Sequence, residues 1–175
     1  MFKFLRYFMQ TCLFFIFTNP MATESPVLHM VLEKGIVKIK TFPEKAPNTV
    51  KRIIELSENG FYDGLTFHRV ISGFMAQGGD PKGDGTGGSG KNIKAEFNDI
   101  KHERGIVSMA RANDPDSADS QFFICYDSHP FLDGKYTVWG KVIEGMNLID
   151  RIPEGKGQNG QVLRNPTKII TMRLK

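Results

Sequence analysis

Cysteine is scarce: Cys12 and Cys125 are the only two in 175 residues, which excludes a disulfide scaffold and any cysteine-rich zinc site. Long apolar runs are missing too. None approaches the roughly 18 residues of a membrane-spanning helix, so a multi-pass membrane protein is ruled out. Clusters of lysine and arginine are also absent. The formal net charge is +4, but residues 1–22 hold Lys3 and Arg6 and no acid, leaving 21 basic and 19 acidic groups in the remainder. So even a balance offers no phosphate-tracking surface, and nucleic acid is not expected as a partner. Glycine is plentiful at 18 residues, about 10% against a usual ~7%, as in turn-rich folds. With 40% hydrophobic and 24% charged residues, the chain can bury one core.

Several chemistries are excluded by spacing. Gly83-Asp-Gly85-Thr-Gly-Gly88 spells a dinucleotide motif, and Gly85 to Asn92 falls one residue short of a P-loop. A P-loop needs Ser or Thr where Asn92 stands and a long helix after it, and the following Ile-Lys-Ala-Glu-Phe-Asn-Asp is too poorly patterned for that helix. The stretch Gly78 to Gly90 therefore reads as a flexible surface loop. Asp114-x-Asp116 and Asp80-x-x-x-Asp84 fail as calcium loops, because their twelfth positions are Cys125 and Lys91 rather than Glu. His29, His68, His102 and His129 show no metal-ligand spacing, and no nucleophile elbow is present. No metal and no cofactor are expected.

Residues 1–22 begin with a basic stretch and an apolar segment from Tyr7 to Phe17, the pattern of a secretory signal peptide. Gln10, Thr11 and Pro20 weaken that pattern, and a start at Met21 is the competing expectation. Export to the periplasm or beyond follows from the first alternative, a cytoplasmic location from the second. The domain is expected over 23–175. Val27 to Leu32 and Ile36 to Phe42 alternate around Glu33-Lys34-Gly35 as a hairpin. Ala46 to Asn59 predicts a helix, with Pro47 in its first turn, Val50, Ile53, Ile54 and Ser57 on one face, and Gly60 just past its end. Further strands are expected at 65–70, 74–78, 95–98, 106–111, 120–125, 136–142 and 167–174, with a second helix at 144–152. This pattern predicts a mostly β chain, its eight or so antiparallel strands closed into a barrel capped by two helices.

Three segments remain: Phe67-His68-Arg69-Val70-Ile71-Ser72-Gly73-Phe74-Met75-Ala76-Gln77-Gly78-Gly79-Asp80, then Ser120 to Cys125, then Phe131 to Lys135. Together they resemble the cyclophilins, peptidyl-prolyl cis-trans isomerases, and the resemblance runs from about Val27 to Leu174. It implies an eight-stranded barrel with two capping helices, a groove on its outer surface, and proline-containing polypeptides as partners. By the same resemblance Arg69 is the catalytic residue and Gln77 holds substrate backbone and orients it. Phe74, Met75, Phe123 and Leu132 form the proline pocket. Ala110, Arg111 and Ala112 form a strand along the substrate, Gln121 lines the next subsite, and Phe131 and Tyr136 border the pocket. Strand alternation puts Gln121 and Phe123 on one face, with Phe122 and Ile124 facing the core. His68 is expected on the face opposite Arg69, His102 and His129 at the surface, and Cys125 buried.

The chemistry suits these residue types. An X–Pro bond isomerises over tens to hundreds of seconds, because amide conjugation must be broken against a barrier of roughly 18–20 kcal/mol. No covalent bond changes, so what helps is a donor that favours the twisted amide, and a permanently charged planar guanidinium fits. Burying ~100 Å² of proline ring yields only about 2.5 kcal/mol, which suits brief visits by many chains. Three positions depart from many eukaryotic members: Phe131 for Trp, Tyr136 for His and Arg111 for Asn. Phe131 lacks the indole donor, so weakened affinity for cyclosporin-type ligands is expected. The chain is expected to work as a monomer. A proline-binding module without turnover, or a holdase chaperone, stays open as an alternative at this level.

Overall fold

The computed structural model describes residues 25–175; the leader expected over 1–22 lies outside them. Eight strands and two helices follow in the order β1 (Val27–Leu32), β2 (Gly35–Thr41), α1 (Pro47–Glu58), β3 (Arg69–Ile71), β4 (Met75–Gly78), β5 (Ile106–Met109), β6 (Phe122–Cys125), β7 (Val138–Glu144), α2 (Met146–Ile149) and β8 (Ile169–Leu174). All strand pairs are antiparallel, in the order β3-β4-β6-β5-β7-β2-β1-β8.

The sheet curls, but its two end strands share no ladder. Only short links join the ends, among them the isolated bridge Thr66↔Lys168 and the 2.9 Å bond from Phe67 N to Thr167 O. The expected fully closed barrel is thus corrected to an open, curled sheet. Its concave interior is filled by Leu28, Met30, Val37, Ile39, Phe67, Phe122, Ile124, Trp139 and their neighbours, so no ligand fits inside.

α1 starts at Pro47, whose missing N–H costs nothing in a first turn, and buries Val50, Ile53 and Leu56. Gly60 takes the left-handed conformation, φ 74°, just past its end. α2 is shorter than the expected 144–152. Glu144 still pairs with Lys38 in the β2–β7 ladder, Gly145 has φ 85°, and Pro153 disfavours helix at Ile152. The strand expected at 95–98 does not form, because that backbone is held by side chains: Glu96 N donates to Thr137 Oγ1 at 2.9 Å, and Ala95 N to Asp116 Oδ1 at 2.9 Å. Likewise β5 ends at Met109, so Arg111 and Ala112 lie beyond the ladder they were expected to extend.

Candidate functional site

Register alone brings the key side chains together. Arg69 on β3 lies opposite Gln77 on β4, which lies opposite Phe123 on β6. One rung on, Ile71 faces Met75, and Met75 faces Cys125. Cross-strand partners share a face, so this row points outward, while Val70, Ala76 and Ile124 point into the core. Met75, Phe123, Cys125 and Leu132 form a second, smaller apolar cluster, with Ile71, Phe74, Ala110 and Tyr136 packed against it. Leu132 comes from a 3-10 turn at Pro130–Leu132.

Over this cluster lies a groove of about 410 Å³, lined by Arg69, Phe74, Met75, Gln77, Ala110, Arg111, Phe123, Leu132 and Tyr136 among others. These residues were all singled out from the sequence. Ala112 and Gln121 line the adjoining cavity of about 300 Å³, which shares Gln77, Ala110 and Arg111 with the first. Phe131 lines neither. It is 59% exposed and stands at the rim, its ring 5.7 Å from that of Phe74.

A polar chain crosses the site. Arg69 Nη1 donates to Gln77 Oε1 at 3.1 Å, and Gln77 Nε2 donates to Gln121 Oε1 at 2.9 Å. Gln121 Nε2 in turn donates to the carbonyls of Gly85 and Gly87, at 3.1 and 2.8 Å. The loop from Gly78 to Gly90, expected to be flexible, is therefore tied down. The buried Asp80 carboxylate also accepts from the N–H groups of Lys82, Asp84 and Gly85, at 2.8, 3.1 and 2.6 Å. Burial alone would raise the Asp80 pKa, yet the backbone N–H groups of Lys82, Gly85 and Gly87 outweigh it and the carboxyl ends below its ordinary value.

Arg69 is half-buried, and burial lowers its pKa while Tyr136 opposes the shift. None of the ion pairs among the described residues includes it. Across the groove, the Arg111 guanidinium stacks 4.7 Å from the Tyr136 ring centroid and donates to Lys135 O from Nε and Nη2, at 3.2 and 3.0 Å. That pins a wall between the two cavities.

The histidines differ from expectation. His68 is only 3% exposed yet borders the groove, and neither ring nitrogen has a hydrogen-bond partner among the described residues. Burial lowers its pKa against the pull of Asp80. His102, read as a surface residue, is 1% exposed. It stacks beneath Phe123 with ring centroids 6.1 Å apart and bonds Asp133 and Ser108, each at 3.1 Å. Burial lowers its pKa too, although Asp133 pulls it up. His129 is partly buried, its ring edge-on to Phe74 at 4.9 Å. These rings support the apolar floor from beneath and beside, a role that isolated histidines in a sequence do not announce.

Gln158, Asn159, Gln161 and Asp84 also line the groove and were missed. They sit in polar, glycine-rich loops without periodicity. Among the described residues no cluster of three His, Cys, Asp or Glu side chains could hold a metal ion, and no helix is long and apolar enough to cross a membrane.

Comparison with known proteins agrees with this geometry. The family model described as cyclophilin type peptidyl-prolyl cis-trans isomerase/CLD matches residues 27–174. A peptidyl-prolyl cis-trans isomerase of Synechococcus elongatus is 49% identical over 128 residues, covering 69% of this chain and 88% of the relative. A probable peptidyl-prolyl cis-trans isomerase of Brucella abortus is 46% identical over 151 residues, covering 79% of this chain and 77% of the relative. Among solved structures, a cyclophilin type isomerase from Cryptosporidium parvum, crystallised in the presence of the dipeptide Ala-Pro, is 33% identical. It superposes with a TM-score of 0.77 over 85% of this chain and 98% of that one. A cyclophilin from Hirschia baltica, 28% identical, gives 0.74 over 86% of this chain and 74% of its own. The chain belongs to the cyclophilin-type peptidyl-prolyl cis-trans isomerase family.

Proposed function

We propose that the groove beside Arg69 is where this chain, as a peptidyl-prolyl cis-trans isomerase, binds X–Pro segments and speeds their rotation. The apolar cluster of Phe74, Met75, Phe123 and Leu132 receives the proline ring, and Gln77 and the Ala110 backbone hold the flanking chain. Arg69 donates toward the prolyl nitrogen as conjugation is lost. In the planar amide that nitrogen's lone pair is delocalised; in the twisted amide it is localised and accepts a hydrogen bond, so the donor lowers the barrier selectively. Gln121, Ala112 and Arg111 border the neighbouring cavity, where the residues preceding proline lie.

One observation carries this reading: a guanidinium that joins no ion pair among the described residues sits at the edge of an apolar pocket. The test is cis–trans relaxation of a proline peptide with the wild type and with Arg69→Ala. Activity should fall about 10²-fold or more while peptide affinity persists. An Arg69→Ala protein as active as the wild type would refute the assignment.

Two further expectations belong to the same proposal. Function as a monomer is the first, and light scattering on the active protein checks it: a mass near that of one chain supports it, and a stable dimer refutes it. Export is supported only by the sequence of residues 1–22 and is tested by the N-terminus of the mature protein: a start after Ala22 supports it, whereas an intact Met21 start refutes it.

A further inference from the structure

The Arg69 guanidinium has five N–H bonds and no acceptor. Nε donates to the backbone oxygen of Asn159 at 2.9 Å, and Nη2 donates to Asn159 Oδ1 at 3.3 Å. Nη1 donates to Gln77 Oε1 at 3.1 Å. All three acceptors are neutral carbonyl oxygens, and two belong to one residue. Two N–H bonds remain, one on each terminal nitrogen.

We infer that Asn159 is a positioning residue for Arg69: it grips the Nε/Nη2 edge of the guanidinium with neutral acceptors, fixing its direction while leaving its charge uncompensated. The inference rests on Arg69 being the donor to substrate. A carboxylate at the same place would also hold the guanidinium. It would, however, offset the positive charge that the twisted amide needs, and would compete for the remaining donors.

The surrounding loop is built to present Asn159 in this way. Asn159 lies in the left-handed region at φ 58°, where asparagine is better tolerated than most residues. That conformation turns its carbonyl and its side-chain oxygen toward the same partner. The loop is stitched to the strand that carries the arginine: Gly155 N donates to Val70 O at 2.9 Å, and Val162 N donates to His68 O at 2.8 Å. Arg69 itself bridges to Gln161. Such closeness requires glycine, since a Cβ on Gly155 would lie 1.8 Å from Gly160 O, and one on Gly160 would lie 2.3 Å from Ile71 Cγ1. The run Gly155-Lys156-Gly157-Gln158-Asn159-Gly160 thus acquires a purpose.

Two variants, assayed beside Arg69→Ala, test the inference by peptide relaxation and thermal melting. Asn159→Asp is isosteric and adds only the charge. It should lower kcat about tenfold or more, with KM within about twofold and the melting temperature unchanged. Asn159→Gly keeps the left-handed turn and, of the two acceptors for Arg69, loses only the side-chain one, so kcat should fall by about threefold. Wild-type kcat in Asn159→Asp overturns the inference, as does a loss expressed only in KM or only in step with a lowered melting temperature. If Arg69→Ala keeps its activity, the donor reading is what fails; if Arg69→Ala is inactive and Asn159→Asp is not, the positioning role fails alone.

Discussion

At position 131 a phenylalanine offers ring faces and edges but no hydrogen-bond donor. Its ring is exposed at the groove rim and leans on Phe74 and His129, so a larger aromatic can replace it without crowding the core. An indole there would add an N–H to the rim. Gaining one hydrogen bond of about 1–1.5 kcal/mol tightens binding roughly tenfold. Phe131→Trp should therefore strengthen cyclosporin inhibition by about that factor and leave turnover of a short proline peptide nearly unchanged. Nanomolar inhibition of the wild type, unimproved by the substitution, would contradict this account of position 131.

For the elements, helix α1 shows how a distant residue completes what the local sequence lacks. Ala46 at its N-cap has no side-chain acceptor, yet the first turn has N–H groups to satisfy. Glu96 supplies both oxygens, accepting from Asn48 N at 3.0 Å and Thr49 N at 2.8 Å, and from the two side chains at 2.8 and 2.7 Å. Glu96→Ala should cost about 1–2 kcal/mol, lowering the melting temperature by roughly 2–4 °C per kcal/mol. Burial alone would raise the Glu96 pKa, but the donors from Thr49 and Asn48 outweigh it and the net shift is downward. A depressed carboxyl pKa stabilises above the unfolded value and ceases to as pH falls through the folded one. The gap between variant and wild type should thus shrink in acid.

The same element marks where the sequence was readable. Pro47, the apolar spacing and Gly60 announce α1 locally, and strand alternation places Phe122 and Ile124 inward and Phe123 outward, as found. Arg69, Gln77 and Phe123 were legible because a specific motif carried them. The cap was not: Glu96 lies 47 residues from Thr49, and its segment read as a strand. Asn159 was not either, since it meets Arg69 across 90 residues from a loop with no period. Nor could alternation tell a closed barrel from a curled sheet whose end strands share no ladder.

On the scale of the whole molecule, activity and stability should respond differently to pH. Rotation about the prolyl bond moves no proton, and Arg69, though its pKa is lowered by burial, starts so high that it stays charged through the neutral range. Turnover per folded molecule should then be nearly flat from about pH 6 to 9. Stability should not be flat. His68 and His102 are buried and held below their ordinary pKa of 6.5, chiefly by desolvation. Between that value and their folded ones the unfolded chain binds more protons than the native one, so their contribution is complete above about pH 6.5 and is lost as pH falls below it. Melting temperature should decline from pH 7 toward pH 5, and His68→Gln should flatten part of that decline. Relaxation rates and thermal melts on the same samples check both halves. A bell-shaped rate profile between pH 6 and 9 would mean that a proton does move and would make His68, which borders the groove, the first group to suspect. A melting temperature level down to pH 5 would instead show that the two rings are not held neutral by their burial.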